Sequence, residues 1–331
     1  MLSFDQIVGH EQVIRHLKTA IQQNKVSHAY IFNGEQGAGK KLLAGIFART
    51  LQCEARTDHP CGRCRSCMQA ESGNHPDIIC VTHEKASIGV DDIRKQVNND
   101  IIIKPYSSPY KIYIIDEADK MTEQAQNALL KTIEEPPAYG IILLLASNPD
   151  RLLSTILSRC VVLNLKAVDV GLIREYLMSQ LGIPDYAANL AANFSQGNVG
   201  KAIRYASSDE FDKVKADVLH LLKYIDDMPV YEIMEAIKAL GEHKLLVNDY
   251  IDMMILWYRD VLMLKVTNNP NILLYKEEYK YIVKQAMKRD YEGIENIIRA
   301  MDKAKVRLEA NVNFDTAIEL MLLTLKENGH G

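Results

Sequence analysis

Five short apolar runs punctuate the first half of the chain: Ala29 to Asn33, Asp77 to Val81, Lys111 to Ile115, Ile141 to Ala146 and Val161 to Leu163. Their β-branched and aliphatic content predicts strands, and three of them are nearly unbroken, as burial on both faces of a sheet requires. Amphipathic helical stretches separate the runs, so residues 1–165 read as an α/β module, a parallel sheet with helices on both faces. After Leu165 the strand signal stops. Residues 166–208 read as a small helical unit, with turns at Gly182-Ile183-Pro184 and Gly197-Asn198. From 209 to 331 helical spacing dominates, as in Val214, Val218, Leu221, Leu222, Ile225 and later Ile251, Met254, Ile255, Tyr258, and predicts an all-α bundle. No low-complexity tract or fixed-period repeat interrupts this pattern.

A length of 331 residues with 47% hydrophobic content exceeds what one core usually serves, so two or three domains are expected. The mixed start, Met1 to Gln6, does not read as a signal peptide, and no apolar run is long enough to cross a bilayer. A soluble, cytoplasmic protein is expected. With 39 basic and 43 acidic residues the net charge is −4, which argues against an independent, tight DNA binder.

Candidate chemistry begins with Gly34-Glu35-Gln36-Gly37-Ala38-Gly39-Lys40, which follows a predicted strand and opens a predicted helix. In that context glycines let backbone N–H groups face phosphate oxygens, the helix N-terminus adds its dipole, and Lys40 supplies a point charge for the outer phosphates of ATP. The next position should carry a hydroxyl for Mg2+, yet it is Lys41. The alternative is a strand-to-helix turn that keeps its glycines for packing alone. Downstream, Ile112 to Ile115 ends in Asp116 and Glu117, suited respectively to holding magnesium and polarising an attacking water. Acids at a strand end also serve as turn residues or helix caps.

Four of the six cysteines fall within residues 53–67, as Cys53-x7-Cys61-x2-Cys64-x2-Cys67. In a cytosolic chain this crowding favours metal over disulfides, and four thiolates so spaced can close a tetrahedron around Zn2+ as a structural site. Cys80 and Cys160 stand apart among apolar neighbours, and His28 lacks any companion at metal-ligand spacing.

A helix capped by Thr122 carries Asn127-Ala128-Leu129-Leu130-Lys131-Thr132-Ile133-Glu134-Glu135-Pro136-Pro137, and this run resembles the clamp-loader branch of the AAA+ ATPases in bacterial DNA polymerase III. Other segments agree. Phe4 to His10 is similar to the AAA+ segment around the adenine, which implies Val8 and Gly9 as base contacts; Ser27 to Phe32 resembles the entry strand. Ser147 and Asn148 stand where the family places a polar sensor of the outer phosphate. Thr155-Ile156-Leu157-Ser158-Arg159-Cys160 resembles the family's Ser-Arg-Cys motif, which implies that Arg159 enters a neighbouring subunit's ATP site as an arginine finger.

The resemblance further implies an AAA+ P-loop module, a helical lid and a helical oligomerisation collar. The last would include Trp257 and the helix opening at Ala310-Asn311-Val312-Asn313-Phe314. A zinc module commonly sits at this place in the family. The lid's usual sensor arginine is replaced by Gly200, leaving Lys201 or Arg204 to substitute for it. Lys41 and Gly200 together imply a ring-completing subunit with little or no ATPase. Its partners would be the gamma/tau motors and delta, with the sliding clamp and primer-template DNA met through the assembled complex. The rival readings are an active motor of the same loader, supported by Lys40, Asp116 and Glu117, and a zinc-dependent DNA-binding repair factor.

Overall fold

The computed structural model describes residues 3–242, 246–310 and 312–328, so Met1 and Asn311 lie outside the described residues. The chain divides into two compact units, Met1–Ile203 and Arg204–Gly331. Most of the segment expected to form a separate lid is therefore grouped with the α/β region.

In the first unit the strands are β1 (Ala29–Asn33), β2 (Ile78–Val81), β3 (Lys111–Ile115), β4 (Gly140–Ala146) and β5 (Val161–Asn164). They form one sheet in the order β2-β3-β4-β1-β5, and every pairing is parallel. Alternate side chains feed two cores. Tyr30, Phe32, Ile112, Ile114, Leu143 and Leu145 pack on one face with Leu17 of α1 (Glu11–Gln22) and Leu43, Ile46 and Phe47 of α2 (Lys40–Gln52). Ile31, Tyr113, Ile115, Ile142 and Leu144 pack on the other. They meet Ile93 of α4 (Val90–Ile93) and Ala125, Leu129 and Ile133 of α5 (Glu123–Glu134). Strands covered on both faces must be apolar at nearly every position, which is why their sequences lack alternation.

Short α3 (Arg65–Glu71) follows α2, and α6 (Ser154–Leu157) precedes β5. The unit continues through α7 (Val170–Leu181) and α8 (Asp185–Phe194) into α9 (Val199–Ser207). β2 begins one residue later than its sequence suggests, because buried Asp77 turns its carboxylate to the N–H groups of Tyr106, Ser107 and Ser108 at 2.6, 2.8 and 3.1 Å. Cys80, for all its apolar neighbours in sequence, is exposed, because β2 is an edge strand.

The second unit is helical: α10 (Asp209–Tyr224), α11 (Val230–Glu242), α12 (Val247–Thr267), α13 (Tyr279–Lys288), α14 (Tyr291–Glu309) and α15 (Phe314–Glu327). Trp257 is fully buried and donates through Nε1 to Gln285 Oε1 at 2.8 Å, while the same amide donates to Leu222 O at 2.7 Å. Two long polar side chains thus enter this core with their bonds made, as burial demands. No helix among the described residues is long and apolar enough to cross a membrane.

Candidate functional site

Parallel register brings the strand ends together. Asn33 pairs with Ala146 and Ile115 with Leu144, so the residues that follow β1, β3 and β4 emerge side by side at the carboxyl edge of the sheet. Ligands bind at such an edge in open α/β sheets. After β1 the chain makes the loop Gly34 to Gly39, where Gly37 and Gly39 have φ of +90° and +91°, a region open to glycine but strained for other residues. Gly39 then caps α2 at its N-terminus.

Lys40 reaches back over this loop. Its ammonium donates to Gly34 O, to Glu35 O at 3.0 Å and to Ser147 Oγ at 2.9 Å. Burial lowers its pKa, while the negative charges of Asp119 and Asp116 pull the other way. Lys41 lies where the magnesium-holding hydroxyl was expected, and its Nζ is 3.2 Å from Asp116 Oδ2. The carboxylate suited to magnesium already faces a cation of its own chain, and an ammonium offers no lone pair to a metal. The magnesium site does not fit the residues present. Glu117 has φ of +51° and its Oε1 pairs with Lys120 Nζ at 2.8 Å, so its carboxylate also has a cation partner.

Ser147 and Asn148 take different partners. Asn148 Oδ1 accepts from Asp150 N at 3.1 Å and caps the short turn Pro149–Arg151, and it is Ser147 that meets Lys40. Val8 and Gly9 lie between the turn Phe4–Gln6 and α1, tethered beside the loop by His10 Nε2, which donates to Ala38 O at 3.1 Å.

The first turn of α9 sits directly on the phosphate loop. Gly200 N donates to Gly37 O at 3.0 Å, and a Cβ added at Gly200 would stand 2.6 Å from that oxygen and 2.8 Å from Gly37 Cα. No side chain fits there, so glycine does more than omit an arginine. Asn198 Nδ2 donates to Gln36 O at 2.8 Å, a contact the sequence did not suggest. The two substitutes are also engaged: Lys201 lies 3.8 Å from Glu35, and Arg204 pairs with Asp249 at 2.6 Å.

Arg159 directly follows the turn that ends α6 and is exposed. Its Nε lies 3.0 Å from Glu134 Oε1, and Nη1 donates to Thr155 O at 3.1 Å and Ser158 Oγ at 3.2 Å. Burial raises the thiol pKa of neighbouring Cys160 to about 12, so it stays protonated and inert at neutral pH.

The four cysteines converge. The Sγ atoms of Cys53, Cys61, Cys64 and Cys67 all lie within 4.8 Å of one another, against about 3.8 Å for sulfurs at 2.3 Å from a tetrahedral zinc. Cys53 Sγ accepts from Cys61 N at 3.3 Å, and Cys64 Sγ caps α3 by accepting from Cys67 N at 3.4 Å. The N–H groups of Arg63 and Cys64 draw the Cys61 thiol down to about 6, whereas burial pushes Cys67 and Cys53 up. This donor set could hold a zinc ion with no open coordination position.

The module is bound to the sheet through buried His75. Its Nδ1 accepts from Asp77 N at 3.1 Å, so Nε2 carries the proton toward Ser66 Oγ at 3.0 Å and Ser108 Oγ at 3.2 Å. Burial lowers the His75 pKa below 6.5, with Asp77 opposing the shift. A second proton would remove the acceptor at Nδ1. The stability contributed by His75 is therefore complete above pH 6.5 and is lost as pH falls through its lower folded value. Urea denaturation from pH 7.5 to 5.5 should show a decline that His75→Gln makes shallower.

A family model described as DNA polymerase III, delta subunit, matches residues 9–169. The delta′ subunit of DNA polymerase III from Bacillus subtilis (strain 168) is 33% identical over 319 residues, covering 96% of this chain and 96% of that one. The chain belongs to the delta′ family of DNA polymerase III clamp-loader subunits. Its α/β core is the AAA+ core that the motifs implied, followed by a helical region. The delta′ family is related in turn to tau: DNA polymerase III subunit tau of B. subtilis is 29% identical over 345 residues. That match covers 95% of this chain and 60% of tau, so this delta′-family chain spans less than two thirds of tau's length. Among solved structures, a gamma-subunit-related protein of Thermotoga maritima aligns with 96% of this chain and 99% of its own, at 18% identity and a TM-score of 0.49.

Proposed function

We propose that this delta′-family chain completes a clamp-loader ring beside gamma/tau motors and delta, and lends Arg159 to a neighbour's ATP site without hydrolysing ATP itself. Through that ring it helps open the sliding clamp and place it on primer-template DNA. The observation that carries the reading is the ion pair of Lys41 with Asp116, which puts an amine against the carboxylate that a motor would reserve for magnesium. The exclusion of any side chain at Gly200 and the Glu117–Lys120 pair support it. Arg159 supports it from the other side, because it is an exposed guanidinium whose contacts are with Glu134, Thr155 and Ser158 and not with the phosphate loop. The four-cysteine cluster holds zinc as a scaffold.

The test is hydrolysis with and without motors. Alone with ATP and magnesium the chain should release phosphate no faster than a buffer control, and added to motor subunits it should raise their turnover. Rapid hydrolysis by the chain alone, abolished by Glu117→Gln, would overturn the proposal in favour of a motor.

A further inference from the structure

Glu134 is the last residue of α5, just before Glu135-Pro136-Pro137. A carboxylate in the last turn opposes the helix dipole, so helix stability does not account for it. Its partner does: Glu134 Oε1 lies 3.0 Å from the Nε of Arg159, which stands 25 residues further along the sequence, in the turn after α6. On its other edge the guanidinium is held by Thr155 O and Ser158 Oγ through Nη1. A planar group fixed at Nε and at Nη1 has its plane set, and the two N–H groups of Nη2 are left to meet phosphate oxygens.

We infer that Glu134 is a positioning residue for Arg159, holding its inner nitrogen so that the N–H groups of Nη2 are presented in one orientation. The inference rests on the reading of Arg159 as a finger acting in a neighbouring site. Both side chains are nearly half exposed, at 46% for Glu134 and 42% for Arg159. An ion pair so open to water adds little to folding stability, so its effect should fall on turnover and leave the fold unchanged. Without the carboxylate the long side chain samples other rotamers, and each productive encounter must first recover the one that fits. That loss falls on the transition state, where charge develops on the phosphate, more than on nucleotide binding.

The test uses the reconstituted loader, with ATP as substrate and kcat and KM measured separately. Glu134→Ala and Glu134→Gln should each lower kcat by about threefold to fivefold, the range such an exposed pair can supply, with KM for ATP unchanged. The melting temperature of the purified variant should match that of the native chain. In an Arg159→Ala background, Glu134→Ala should produce no further loss. Should Arg159→Ala slow the loader while Glu134→Ala and Glu134→Gln leave kcat intact, the positioning role is refuted and the finger stands. An equal loss from Glu134→Ala in both backgrounds also refutes it, because Glu134 would then act by another route. If Arg159→Ala has no effect, the finger reading fails first and the positioning role goes with it.

Discussion

Arg159→Ala in an otherwise native loader is expected to slow ATP hydrolysis at the site it faces by about a thousandfold, the lower end of what an arginine finger supplies in phosphoryl transfer. Single-turnover hydrolysis in the presence of clamp and primed DNA is the measurement. The loss should not come from misfolding. Arg159 is exposed, and the pair it makes with Glu134 is a surface pair worth at most about 1 kcal/mol. Arg159→Lys separates charge from shape: the ammonium keeps the positive charge but not the planar fork, and should recover only a small part of the rate. An unchanged rate in a loader shown to contain the alanine variant would remove the proposed role of this residue.

The second large effect is metal loss. One zinc per chain is expected by native mass spectrometry, and Cys67→Ser should abolish it. Cys67 is fully buried in the cluster, where a hydroxyl is a poor substitute for a thiolate. Structural zinc contributes on the order of 10 kcal/mol of apparent binding free energy, so the variant should lose at least about 3 kcal/mol of stability in urea. The damage should be local at first. The cluster lies between α2 and β2, and the two sheet cores are built from Ile, Leu, Val and aromatic side chains of other segments. Hydrogen exchange should therefore show protection lost over residues 61–75 before β1 and β4. Retention of full stability by a metal-free chain would count against a structural site.

The sheet was legible because burial on both faces writes itself into every residue of a strand. β1 and β3 begin and end where the apolar runs do. The exceptions have non-local causes. Asp77 was read as the start of β2, but its carboxylate serves a loop 29 to 31 residues away. Cys80 stands among the apolar Ile78, Ile79 and Val81, yet it is exposed because strand order places β2 at an edge, and no local pattern reveals strand order.

The phosphate loop, the acidic strand end and the cysteines were visible as motifs, because each is a short run whose chemistry depends on spacing. What those side chains touch was not visible. Asn148 and Ser147 are adjacent polar residues after the same strand, and only the turn at Pro149 decides that one caps and the other meets Lys40. Lys41 read as a missing hydroxyl, and the structure adds that its amine reaches Asp116. Gly200 read as a missing arginine, and the structure adds that Gly37 leaves it no room. Glu134 was visible only as a member of the run that carries the family resemblance, since its partner Arg159 lies 25 residues away, after α6.

The amine of Lys41 has a consequence of its own for the chemistry of that corner. An ion held by coordination comes and goes with chelators, salt and the free divalent concentration; a lysine is covalently attached and does not dissociate. The positive charge available to Asp116 is therefore independent of the free magnesium concentration, while the exposed pair itself opens and closes in water.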